Sequence, residues 1–355
     1  MDSSINVIIN NILTTAAKRK ASYIHLTVGA YPALRIDDQL VELKDEAVVI
    51  NDLIKKLADG WLEEDQKKEL TQNKEMILVK EIDKKFRLKI HFFFQKGNLS
   101  AIIHLISSQI PPLANLGLPK SITGLVEKKS GLIIIAGSYG SGKTTTVSAL
   151  IEEINKNRKV NIVTIEKPTE YIFTNQQSIV EQRQVGTDVV SFKAALDSVQ
   201  KTDIDVVCVS ENNEADVIPL VLEVAVSGRL VILTMTTLSA VQTLEEILAS
   251  FKSQEKNRAL TLVADSLLAV IVQRLVPKVG GGLILAAEIL FGTEAVQSLI
   301  REGKVKQITT VLQSSRAEGM ISLDQSLAEL VKNGVVQAEE AEKYALDPEI
   351  FHPRR

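Results

Sequence analysis

Gly137-Ser138-Tyr139-Gly140-Ser141-Gly142-Lys143-Thr144 has the spacing G-x-x-x-x-G-K-[ST]. Such glycines let the backbone curl until several amides aim at one phosphate group, and a helix starting there adds partial positive charge. Lys143 is long enough to reach the β- and γ-phosphates of a nucleoside triphosphate such as ATP. The Thr144 hydroxyl can ligate Mg²⁺, and Thr145 extends the cradle by one residue. The flanks suit this loop: GLIII before it reads as a buried strand, and TTTVSALIEEI after it reads as a helix.

Triphosphate chemistry also needs carboxylates for metal and water. Strand-like residues 161–165 lead into Glu166-Lys167-Pro168-Thr169-Glu170, and residues 205–209 lead into Ser210-Glu211. Ligands of open α/β sheets gather at the carboxyl ends of strands, which is where both acids fall. Glu211 could hold the metal, directly or through water, and Glu170 could orient or deprotonate the attacking water. Alone, each reads as an ordinary solvated glutamate; beside the phosphate loop the functional reading prevails. Thr234-Met235-Thr236-Thr237 follows a fourth strand-like run and offers hydroxyls toward a γ-phosphate.

The elements that must position these groups fall into two regions, as expected for 355 residues at about 150 per domain. Residues 1–108 read as a small α+β unit. Within it residues 5–18 have helical apolar spacing, and 23–28, 33–36 and 86–94 are strand-like. The proline-rich stretch at 109–120 reads as a linker. From 121 onward strands (132–136, 161–165, 205–209, 230–234) alternate with helices, the pattern of a mainly parallel sheet covered on both faces. The end of the chain, from about 290 to 355, reads as helical. There Ser322-Leu323-Asp324-Gln325 has capping-box spacing and Gly334 is a stop signal.

Composition narrows the function classes. With 45% hydrophobic and 24% charged residues the chain can bury sizeable cores and is not a disordered protein. Lysine plus arginine is 41 and aspartate plus glutamate is 44, a net charge of −3, so no bulk basic excess points to nucleic acid. Aromatic content of 4% argues against a stacking platform for single strands, which weighs against a nucleic-acid motor. The single cysteine, Cys208, excludes an intrachain disulfide, fits a reducing compartment and reads as inert core. The N-terminus lacks a basic secretory n-region, and no apolar run approaches the ~18 residues of a membrane span. A cytoplasmic protein that meets membranes only through partners is the expectation.

Several further stretches resemble one family, the type IV pilus retraction ATPases, the PilT-like twitching-motility branch of the secretion ATPases. Ala21-Ser22-Tyr23-Ile24-His25-Leu26-Thr27-Val28-Gly29 resembles its A-S-D-L-H-L-T-V-G. Thr164-Ile165-Glu166-Lys167-Pro168-Thr169-Glu170 resembles its aspartate box, and residues 205–211 its Walker B segment. Gln182-Arg183-Gln184-Val185-Gly186, Gln273-Arg274-Leu275-Val276-Pro277, Ile300-Arg301-Glu302-Gly303-Lys304 and Gly319-Met320-Ile321-Ser322-Leu323-Asp324-Gln325 are similar to further family signatures. The resemblance implies a PAS-like N-terminal domain, a RecA-like ATPase domain and a homo-hexameric ring. It further implies ATP hydrolysis with Mg²⁺, an inner-membrane platform protein and other pilus ATPases as partners. Glu170 and Glu211 take the positions of the family's catalytic glutamates, and Arg87 that of an arginine reaching the nucleotide.

The departures concern charge. The family's aspartate is Lys167, the histidine of its T-L-H-T is Thr236, and its second N-terminal arginine is His104. Its M-R-D after the Walker B glutamate reads Asn212-Asn213-Glu214, and both arginines of its A-L-R-x-A-L-R helix are absent from Ala195-Leu196-Asp197-Ser198-Val199-Gln200. Phosphoryl transfer relies on positive groups around the transferred phosphoryl, and an arginine finger can be worth on the order of 10³-fold or more. Two readings follow: an active retraction motor, and a catalytically weakened nucleotide-binding subunit working beside one.

Overall fold

The computed structural model describes residues 3–82, 86–107, 109–212, 214 and 216–352. Asn213 and Ser108 therefore lie outside the described residues. The chain divides into two compact units, Met1–Gln109 and Ile110–Arg355.

The first unit runs α1 (Ser3–Lys18), β1 (Tyr23–Leu26), β2 (Ala33–Ile36), β3 (Gln39–Glu42), α2 (Asn51–Trp61), α3 (Glu64–Asn73), β4 (Glu75–Ile82), β5 (Phe86–Gln95) and β6 (Asn98–Ile106). The strands form one antiparallel sheet ordered β3-β2-β1-β6-β5-β4. Among the described side chains of α1, Ile9, Ile12, Leu13 and Ala16 are buried, one face at helical spacing. They join Leu88, Ile90 and Phe92 of β5 and Leu99, Ala101 and Ile103 of β6 in a single core. Period-2 alternation then puts Arg87 and His104 on the opposite face of the sheet. There the His104 ring stacks on Tyr23, centroids 4.7 Å apart.

The second unit begins with residues 110–118, whose Ile110, Leu113, Leu116 and Leu118 pack into its own core. Then follow β7 (Gly131–Gly137), α4 (Lys143–Asn157), β8 (Asn161–Glu166), β9 (Ile179–Gln184), α5 (Phe192–Val199), β10 (Val206–Val209), α6 (Val217–Val226) and β11 (Leu230–Met235). After α7 (Ala240–Ala249) and α8 (Lys256–Ser266), β12 (Leu267–Pro277) and β13 (Leu283–Phe291) make an antiparallel pair. The chain closes with α9 (Glu294–Arg301), α10 (Ile308–Ser314), α11 (Leu323–Lys332) and α12 (Ala338–Glu342). The sheet order is β13-β12-β7-β11-β10-β8-β9, parallel except for the β13 edge.

All residues of β7, β10 and β11 are buried, because helices cover both faces of the sheet. Helix α4 packs on one face with Ile133, Ile135 and Ile271; α5–α8 pack on the other with Leu132, Ile134 and Val272. The α/β class expected from alternating strands and helices is the class observed. The capping box at Ser322 and Gln325 forms and opens α11, and Gly334 sits past its end at φ +68°. Cys208 is buried, and burial pushes its thiol well above the ordinary range. Among the described residues no helix is long and apolar enough to cross a membrane.

Candidate functional site

Strand β7 ends at Gly137 and α4 begins at Lys143, so residues 137–144 form a loop at the carboxyl end of the sheet. Gly137 has φ +146°, and a Cβ there would stand 2.4 Å from Ser141 Oγ and 2.6 Å from the Gln273 carbonyl oxygen. Only glycine fits that close approach to β12. Gly140 and Gly142 also have positive φ, and no side chain caps the start of α4, an arrangement suited to an anion at its leading amides. The Lys143 side chain is 7% exposed. Its ammonium donates to the Gly137 carbonyl at 2.8 Å and the Ser138 carbonyl at 3.0 Å, and lies 3.3 Å from Glu211 Oε2. Ser141 is buried, whereas Tyr139 at the tip of the loop is exposed.

Parallel pairing sets β8, β10, β11 and β7 in register, so their carboxyl ends gather beside the loop. Glu211 follows β10, and its second oxygen accepts a hydrogen bond from the Thr236 hydroxyl, which follows β11. Glu211 is thus shared between Lys143 and Thr236. Thr237 turns the other way, its hydroxyl 2.5 Å from that of Thr243 in α7, both buried. Glu166, at the end of β8, accepts from the Thr164 hydroxyl at 2.6 Å and the Gln182 amide at 3.3 Å. Burial raises its carboxyl pKa, those two hydrogen bonds oppose the shift, and the neighbouring Glu170 charge adds to it. Glu170 is buried, and the next residue, Tyr171, places its hydroxyl 3.5 Å from Thr145 in the first turn of α4. The structure therefore brings Lys143, Thr144, Thr145 and Glu211 together at the loop, and sets Glu170 beside Glu166 and next in the chain to Tyr171, which meets Thr145.

This geometry has known counterparts. The Type II/IV secretion system protein family model matches residues 1–281. The type IV pilus retraction ATPase PilT of Pseudomonas aeruginosa is 32% identical over 350 residues, covering 97% of this chain and 99% of that protein. The chain belongs to the PilT-like pilus retraction ATPases. A twitching motility protein of Neisseria gonorrhoeae is 35% identical over 285 residues, covering 80% of this chain and 76% of that one. The crystal structure of the pilus retraction motor PilT with bound ADP superposes with a TM-score of 0.82 at 35% identity, covering 96% of this chain and 97% of that one.

Arg87 lies in the first unit on β5, half-buried, while the loop belongs to the second. Lys167 is exposed. Sequence reasoning assigned no role to Arg274 of β12, Tyr171 or Glu288 of β13. Arg274 brings its guanidinium to 3.5 Å from both Ser138 Oγ and the Leu238 carbonyl, joining the loop tip to the turn after β11. The adjacent Gln273 faces the other side of the sheet and donates to Thr146 of α4 at 2.8 Å. The signal for this pair of strands was the Gly280-Gly281-Gly282 turn between two apolar runs.

Proposed function

We propose that this chain is a motor subunit that binds ATP, hydrolyses it with Mg²⁺ and drives type IV pilus retraction. The observation that carries this reading is Lys143, held by two loop carbonyls and paired with Glu211. An incoming triphosphate offers the ammonium a stronger partner, which releases Glu211 Oε2. The Thr144 hydroxyl and the Glu211 carboxylate are oxygen donors, the kind Mg²⁺ takes alongside water and phosphate. Mg²⁺ would balance phosphate charge there. Glu170, buried and next in the chain to Tyr171, whose hydroxyl meets Thr145, orients the attacking water and accepts its proton.

Thr236 stands where the family places a histidine, so it supplies a hydrogen bond without positive charge. Turnover is slower for that reason, yet both carboxylates and the lysine are retained. The first unit works as the PAS-like domain and the second as the RecA-like domain of a hexameric ring. In that ring Arg87 contributes charge to the nucleotide. The ring docks on a platform protein at the inner membrane and works with other pilus ATPases. The deciding experiment is ATP turnover and ADP affinity of purified protein against Lys143→Ala and Glu170→Gln. Lys143→Ala loses binding, while Glu170→Gln binds normally and loses roughly 10²–10⁴-fold in turnover. Wild-type turnover no higher than that of either variant refutes the motor reading.

A further inference from the structure

Glu288 is 4% exposed, on the face of β13 that packs against α7 and α8. Its Oε1 accepts from the Ala240 amide at 2.6 Å, and its Oε2 from the Leu323 amide at 3.5 Å. Ala240 is the first residue of α7 and Leu323 the first of α11. One carboxylate therefore joins the starts of two helices. Arg274, on the neighbouring strand, attracts its charge, and Asp324 repels it. Packing alone gives no reason for a carboxylate among Val272, Leu290 and the α7 residues, because burying charge costs stability that an apolar side chain would not.

Its connections supply a reason. Helix α7 starts directly after the turn whose Thr236 holds Glu211, and Thr243 of α7 is bonded to Thr237 of that turn. Arg274 reaches the loop tip at Ser138. On the far side, Asp324 of α11 accepts from the amides of Leu346 at 2.7 Å and Asp347 at 3.2 Å, which ties α11 to the end of the chain.

We propose that Glu288 is a positioning residue that couples the nucleotide site to the C-terminal helices. It holds the Thr236 turn in place relative to the phosphate loop and passes displacements of that turn to α11. The turnover arm of the test rests on the ATPase reading; the binding arm does not.

The experiment compares wild type with Glu288→Gln, which keeps size and an acceptor oxygen but removes charge. Ala240→Pro is the second variant. It removes one of the two donating amides and sets a ring carbon against Oε1 in its place, at a first-turn position where proline suits a helix, after Ser239 in the extended conformation that proline requires (φ −151°, ψ 161°). Backbone hydrogen exchange with and without ADP reads the coupling. ADP slows exchange in residues 137–147 of all three proteins, and in residues 323–332 of wild type alone. Steady-state kinetics read the positioning: kcat falls about tenfold in both variants while KM stays within about twofold, as for a displaced catalytic group. An unchanged ADP response of 323–332 in the variants, no response there in wild type, or kcat within twofold of wild type overturns the proposal. Should Glu288→Gln fail to fold, Ala240→Pro carries both readouts. A wild type that binds ADP without turnover refutes the motor reading, and the exchange arm still decides the coupling.

Discussion

Replacing Gly137 with alanine puts the phosphate loop under a load that the structure specifies. The backbone there has φ +146°, a conformation that costs an L-residue about 1–3 kcal/mol. The added Cβ meets Ser141 Oγ at 2.4 Å and the Gln273 carbonyl at 2.6 Å. A serine side chain can rotate away, but the Gln273 carbonyl belongs to β12, which is paired on both sides. Relieving that contact adds about 1–3 kcal/mol of overpacking. A middle value for the sum is about 4 kcal/mol. At about 2–4 °C per kcal/mol for a unit of this size, the unfolding midpoint falls by roughly 8–16 °C.

The loop is the easiest part to displace, so ADP affinity falls by more than about tenfold. Gly228→Ala is the matched control: φ is +99°, and nothing lies within 4 Å of its Cβ. It suffers only the left-handed backbone penalty of about 1–2 kcal/mol and keeps ADP affinity. Thermal unfolding and ADP titration on both variants measure the difference. A Gly137→Ala protein that unfolds with Gly228→Ala and binds ADP like wild type would refute the steric argument.

Three further outcomes are expected. Thr236→His places an imidazole beside Glu211 and raises ATP turnover roughly severalfold. The gain is larger at pH 6 than at pH 8 because an ordinary histidine gains charge near pH 6.5; a gain independent of pH counts against the charge explanation. Glu166→Gln stabilises the protein at neutral pH, since removing the buried charge outweighs a weakened hydrogen bond from the Glu170 backbone while the amide oxygen keeps those from Thr164 and Gln182. The sign follows from the raised carboxyl pKa. Wild type loses stability as pH rises from the ordinary 4.5 through the raised folded value, so the variant's advantage grows over that window and vanishes below it. Denaturation midpoints at a series of pH values check this, and an advantage that shrinks with rising pH contradicts it. Arg274→Ala separates the loop tip from the turn after β11 and lowers ADP affinity about threefold to tenfold, read by titration; unchanged affinity removes Arg274 from the site.

Local rules made the phosphate loop legible, because Gly137, Gly142, Lys143 and Thr144 act through backbone conformation and reach within eight consecutive residues. The strands at 132–136, 161–165 and 230–234 were legible for a similar reason: fully buried parallel strands are short unbroken apolar runs, and the observed β7, β8 and β11 extend them by one or two residues. Capping at Ser322 and Gln325 is equally local. The pairing of Glu211 with Lys143 and Thr236 was not legible, because it depends on strand register across residues far apart in the chain. Glu288 was the least legible. In sequence it is one glutamate in an apolar run, and its role exists only because the ends of α7 and α11 meet over β13. Sequence by itself determined which backbone can wrap a phosphate and which segments must be buried, since those depend on near neighbours. Tertiary structure decided which charges face each other and which are enclosed, because electrostatic partners and burial are set by packing between distant segments.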